Sequence, residues 1–216
     1  MAIQRKCAFL LFLWMASLAR AVIVDRVAIL VGNGIVKDSD IAQDLRINSF
    51  LNNTNAAITP AARKQAASRL IDQTLIKKEI ESGEYPSAPV AEAQDLLANL
   101  KKRYPDDAAY KRVLASRGIQ EDDVKARLLW QLTVLRFIVA RFRPAAQVSE
   151  EDLQKYYNEH KAELETANSG KPATLDALRP QIEDTLAEEQ VNRLLDEWLA
   201  ARRKATKIVY LEDGLK

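Results

Sequence analysis

The chain has 216 residues, 32 of them basic and 30 acidic, a balance that gives no electrostatic footing to nucleic acid as the main ligand. A single cysteine, Cys7, and a single histidine, His160, exclude a disulfide framework and a zinc site. With 48% apolar and 29% charged residues and only six glycines, the composition suits a mainly α soluble protein of one good-sized domain.

Arg5 and Lys6 precede an apolar run from Cys7 to Leu18, and Ala19-Arg20-Ala21 fits the small-x-small cleavage pattern. The run is shorter than the ~20 residues of a membrane span. Residues 1–21 therefore read as a cleaved signal peptide, and the mature chain as exported without stable membrane insertion. Cleavage removes Arg5, Lys6, Arg20 and Cys7, which leaves a cysteine-free chain with one acidic residue in excess. Such a chain is held by its core alone.

Val24 to Val31 is rich in β-branched residues and leads through Gly32-Asn33-Gly34 to Ile35-Val36, which predicts two short strands joined at the Asn-Gly pair. Asp38 or Ser39 can cap a helix from about Asp40 to Leu51, with Ile41, Leu45 and Ile47 facing inward. Thr59-Pro60 starts a helix that runs to Ser82 and stops at Gly83, with Ala66, Leu70, Leu75, Ile76 and Ile80 on its buried stripe. A further helix carries Val90, Ala93, Leu97, Leu100 and Tyr104 at three- and four-residue steps and ends at Pro105. A short one follows from about Asp106 to Ser116, stopped by Gly118.

The helix from about Gln120 to Arg143 has two apolar sides. Val124, Leu128, Leu132, Leu135, Val139 and Phe142 form one face, and Trp130 with Phe137 lies on the opposite one. Such a helix is either buried on both sides or presents a sticky patch. Ser149 to Asp152 resembles a capping box and opens a helix to about Leu164, with Leu153 and Tyr156 or Tyr157 inside. Thr174 then caps a long helix whose buried side carries Leu178, Ile182, Leu186, Leu194, Leu195, Trp198 and Leu199. Lys207 to Leu211 reads as a last strand. Neither that strand nor the opening hairpin is stable alone, so the two ends of the mature chain are expected to share one small sheet.

Taken in order, these stretches resemble the SurA family of periplasmic chaperones. Val24 to Ala28, Val31 to Val36 and Ser39-Asp40 look like that family's start after its signal peptide. Leu70 to Ile76 looks like its second-helix pattern, and Val148 to Tyr157 like the lead-in to a parvulin-type isomerase domain. Arg179 to Glu183, Trp198-Leu199 and Ile208-Val209-Tyr210 resemble its C-terminal return segment. The resemblance implies a multi-helix chaperone core with a small β-sheet. Residues 22–164 would be its N-terminal helical domain and 174–216 the C-terminal helix and strand. In the family a proline-isomerase domain is inserted near 165–173; here there is room only for a short loop.

The resemblance implies an ATP-independent periplasmic chaperone whose partners are unfolded polypeptides, including outer-membrane protein precursors. Phe50, Tyr104, Trp130 and Phe137 are the candidate lining of an apolar peptide-binding groove. No catalytic residue, cofactor or metal is expected. His160, in the charged stretch Asn158 to Lys161, reads as a solvated helix residue, and Gly32-Asn33-Gly34 lacks the third glycine of a dinucleotide fingerprint. Glu121-Asp122-Asp123 and Glu150-Glu151-Asp152 sit at helix starts, where they suit the helix dipole. Arg136, Arg141 and Arg143 read as a solvated face. Two other classes stay open: a peptidyl-prolyl isomerase, and an envelope assembly module, including a homodimer that exchanges terminal segments.

Overall fold

The computed structural model describes residues 25–55, 58–167 and 174–216. The expected signal peptide, Val24 of the expected first strand, and positions 168–173 of the expected loop lie outside the described residues. Among the described residues the fold is mainly α, seven helices around a three-stranded antiparallel sheet, as the sequence pattern predicts.

β1 (Val27–Val31) pairs with β2 (Gly34–Lys37), Val31 opposite Gly34. The turn between them is Gly32-Asn33, and the positive φ falls on Gly32 (+59°), whereas the expected turn was Asn33-Gly34. A hairpin turn with glycine first keeps the strand twist equally well. It frees Gly34 to begin β2, where a Cβ would come within 2.7 Å of Thr74 Cγ2. β3 (Ile208–Tyr210) lies on the other side of β1, Ile29 opposite Tyr210 and Val31 opposite Ile208. Gly32 N donates to Lys207 O at 2.9 Å and Leu211 N to Ala28 O at 2.8 Å, extending that pairing at both ends. Head and tail of the described chain thus share one sheet.

α1 (Asp38–Leu51) starts before the expected Asp40, and neither Asp38 nor Ser39 caps it. Asp40 instead accepts a hydrogen bond from Lys37 N at 2.8 Å, and Ser39 Oγ donates to Asp25. α2 (Pro60–Ser82) is capped as its sequence predicts, Thr59 Oγ1 accepting from Ala62 N. α3 (Val90–Lys101) ends before Tyr104, and α4 (Asp107–Arg117) stops at Gly118, whose φ of +63° only glycine adopts freely. α5 (Glu121–Phe142) leads through a 3₁₀ turn at Arg143–Ala145 to α6 (Glu150–Ala167). At the start of α6 both halves of a capping box form. Ser149 N donates to Asp152, and Asp152 N donates to Ser149 Oγ. α7 (Leu175–Ala205) is capped by Thr174 and carries Pro180 within it.

Three apolar clusters hold these elements together. The sheet packs Ile29 and Val36 against Ile41 of α1 and Ile71 and Leu75 of α2. Phe50, Leu97, Leu100, Tyr110 and Val124 join α1, α3, α4 and the first half of α5. Ile76, Phe137, Phe142 and Val191 join α2 and the second half of α5 to α7, with Trp198 packed on them. Ion pairs pin α7 in place: Arg203 Nε reaches Asp72 at 2.6 Å, while Arg202 and Arg141 both hold Glu79. The arginines expected on a solvated face are therefore tie points, Arg136 to Glu92, Arg141 to Glu79 and Arg143 to Asp184.

Candidate peptide-binding surfaces on helix α5

α5 sets out two surfaces because its neighbours cover it unevenly. α3 runs antiparallel along one side, with Lys101 on Glu121 at one end and Glu92 on Arg136 at the other. α3 has 12 residues and α5 has 22, so at 1.5 Å per residue α3 spans about 18 Å of a helix about 33 Å long. Val124 and Leu128 are buried on that side, but the same stripe continues past the start of α3 and is left bare. Leu135 is 57% and Val139 52% exposed. Pro86, Leu132 and Ala140 complete a shallow apolar trough of about 370 Å³ there, with the Glu92–Arg136 ion pair along its edge.

The other side of α5 borders an open cleft of about 410 Å³ between β2, α1 and α2. Its apolar lining is Ile35, Val36, Ile47, Leu70, Ala126 and Trp130. Polar groups ring it. Gln43 Nε2 donates to Asp123 at 2.7 Å, and Asp44, 1% exposed, accepts from Arg127 of α5 and Arg69 of α2. Asn48 Nδ2 donates to the same carboxylate at 2.9 Å. A buried carboxylate with this many charged donors is a structural clamp.

The structure does not bring the four candidate groove residues together. Phe50 is 2% exposed and stacks on Tyr104 with ring centroids 6.3 Å apart, inside the α1–α3–α4 core. Phe137 is fully buried, edge-on to Tyr85 at 4.8 Å and packed by Phe142 and Trp198. Only Trp130 lines the cleft. Phe50 and Phe137 are core residues, and the expected exposed face of α5 is inverted in its second half. The physical reason is α7, which returns to cover the Phe137 side, while beside the start of α3 no described segment lies over Leu135 and Val139. The two-sided apolar pattern of α5 signals that one side needs cover, and which side goes without it is decided by how α3 and α7 pack.

His160 is half-buried on α6, stacked on Tyr156 at 4.1 Å with its Nδ1 3.0 Å from Tyr156 O, so it is packed rather than freely solvated. No group of metal-ligating side chains occurs among the described residues, and none of their helices is long and apolar enough to cross a membrane. No protein-family model matches the chain, and no curated protein matches it.

Proposed function

We propose that this protein is a periplasmic, ATP-independent chaperone of the SurA type, without the isomerase domain, that holds unfolded exported chains such as outer-membrane protein precursors. The observation that carries the proposal is the bare apolar trough at Leu135 and Val139, an exposed i, i+4 pair that no other described residue covers. A client's apolar side chain is shielded there from the encounters that lead to aggregation during slow β-folding. The Trp130 cleft offers a second, more polar contact on the far side of the same helix. The closing of the two chain ends into one sheet supports the family resemblance. Capture by such shallow surfaces is reversible and weak per contact, which suits a holdase.

The test is suppression of aggregation of an unfolded outer-membrane protein on dilution from denaturant. The native chain is expected to suppress light scattering, and the Leu135→Ser, Val139→Ser variant to suppress it less at unchanged helix content. No suppression by the native chain sinks the proposal. The same bare trough favours one competing reading, pairing with a second copy, and that reading is supported instead if the native chain dimerises through Leu135 and Val139 and protects no client.

A further inference from the structure

We propose that the recess at the C-terminal end of α4 is a receptor for the terminal carboxylate of a polypeptide chain. The recess measures about 460 Å³ and is lined by Arg46, Ser49, Asn55, Ile58, Ser116 and Arg117. Arg46 reaches it from α1, with Nη1 3.7 Å from the point a Cβ would occupy on Gly118, so its guanidinium lies over the end of α4 beside Arg117. Arg117 Nη1 is held by Thr54 O at 2.7 Å and Ser49 Oγ at 3.0 Å, both neutral acceptors.

These two cations, which share one recess, differ from the molecule's ion-paired arginines. Arg63, Arg127, Arg141 and Arg203 each grip a carboxylate, whereas among the described residues Arg46 and Arg117 hold none. The backbone itself closes part of this helix end: Gly118 N donates to Ala115 O and Ile119 N to Leu114 O, which satisfies two of the last four carbonyls of α4. Two guanidiniums in one recess repel each other, and an anion between them relieves that repulsion while accepting forked hydrogen bonds.

The surroundings choose the anion. The negative end of the α4 dipole opposes any anion, a dianion such as phosphate more than a single carboxylate, so the two guanidiniums carry the attraction. Ile58, 58% exposed, supplies an apolar wall for the side chain of a terminal residue. Ser116 donates its hydroxyl hydrogen to Val113 O at 2.8 Å, leaving its oxygen to accept from the ligand's last peptide N–H. Capture of a chain terminus is an established mode of peptide recognition. The inference rests on the chaperone proposal for the source of the ligand, the free C-terminus of an unfolded client.

The experiment is fluorescence anisotropy of the whole protein with a labelled short peptide ending in an apolar residue, as free acid and as C-terminal amide. The free acid is expected to bind about tenfold or more tightly, the loss expected when a charged hydrogen-bond acceptor is removed. Arg46→Gln is expected to erase that preference with an unchanged circular-dichroism spectrum, since the Arg46 side chain makes no bond within the described fold, and Leu135→Ser to preserve it. Equal binding of acid and amide, or a preference that survives Arg46→Gln, overturns the inference. So does inorganic phosphate that displaces the peptide as readily as the unlabelled free acid does. The readout does not involve aggregation, so lost carboxylate preference with intact client protection sinks this site alone.

Discussion

Asp44 on α1 accepts a hydrogen bond from Arg127 on α5 at 2.5 Å, across 83 positions of sequence, and the pair closes the floor of the Trp130 cleft. Arg69 of α2 meets the same carboxylate at 2.6 Å, so one buried acid joins three helices. Asp44→Ala leaves Arg127 nearly buried without its counter-ion, and a loss of about 3 kcal/mol is expected. Urea unfolding measures it, as a lower midpoint at unchanged slope.

The two aromatic residues expected together in a groove separate cleanly by mutation. Phe137→Ala opens a cavity under α7 and is expected to cost about 3–5 kcal/mol, read as a fall in thermal midpoint. Trp130→Ala, at a half-buried cleft wall, is expected to cost less and to leave the fold cooperative. Equal destabilisation by both would contradict the placement of Phe137 in the core.

Tyr110 gives an unusual prediction. Its hydroxyl is buried and has no hydrogen-bond partner, and burial pushes the phenol up to about 12. Tyr110→Phe is therefore expected to be neutral, or stabilising by up to about 1 kcal/mol, because no bond is lost and a desolvated polar atom is removed. In the native chain the raised value means that this phenol costs no pH-dependent stability below pH 10.0, its ordinary value, and that native stability falls as pH rises from there towards about 12. The Phe variant should lose that alkaline dependence in thermal melts between those limits.

The attachment of α6 to α7 is acid-sensitive. Arg179 donates to both oxygens of Glu150 at 2.6 and 2.8 Å and holds that carboxyl below its ordinary value of 4.5. At the same helix start, hydrogen bonds from Ser149 lower the Asp152 carboxyl. Both folded values are depressed, so their contribution is present above the ordinary carboxylate range and lost as pH falls through it. Hydrogen exchange of α6 amides is expected to speed up below pH 4.5 before that of α2 does. Arg179→Gln should remove the Glu150 part of this difference.

Local signals were legible in the sequence wherever one residue type enforces one geometry. Thr59-Pro60, Gly118, Thr174 and the Ser149–Asp152 box each end or begin a helix where their chemistry predicts. The meeting of the two ends followed from the instability of isolated strands. Which side of α5 is covered did not follow, because both sides carry the same apolar periodicity. The choice belongs to α3 and α7, whose length and return path are tertiary facts. Phe50 and Tyr104 sit in the core because α4 folds back and places Tyr110 against both rings, a packing that only the tertiary structure fixes. The Arg46–Arg117 recess had no linear signal, since its two cations lie 71 positions apart.

β1 is the central strand, and one of its two partners is drawn from the last ten residues of the chain. A polypeptide made from its amino end onward therefore leaves that strand half satisfied until Ile208–Tyr210 has been made. Until then, or wherever that segment is cut away, β1 carries an open edge of its own. A holdase of the proposed kind would, until that segment arrives, need the protection it gives to others.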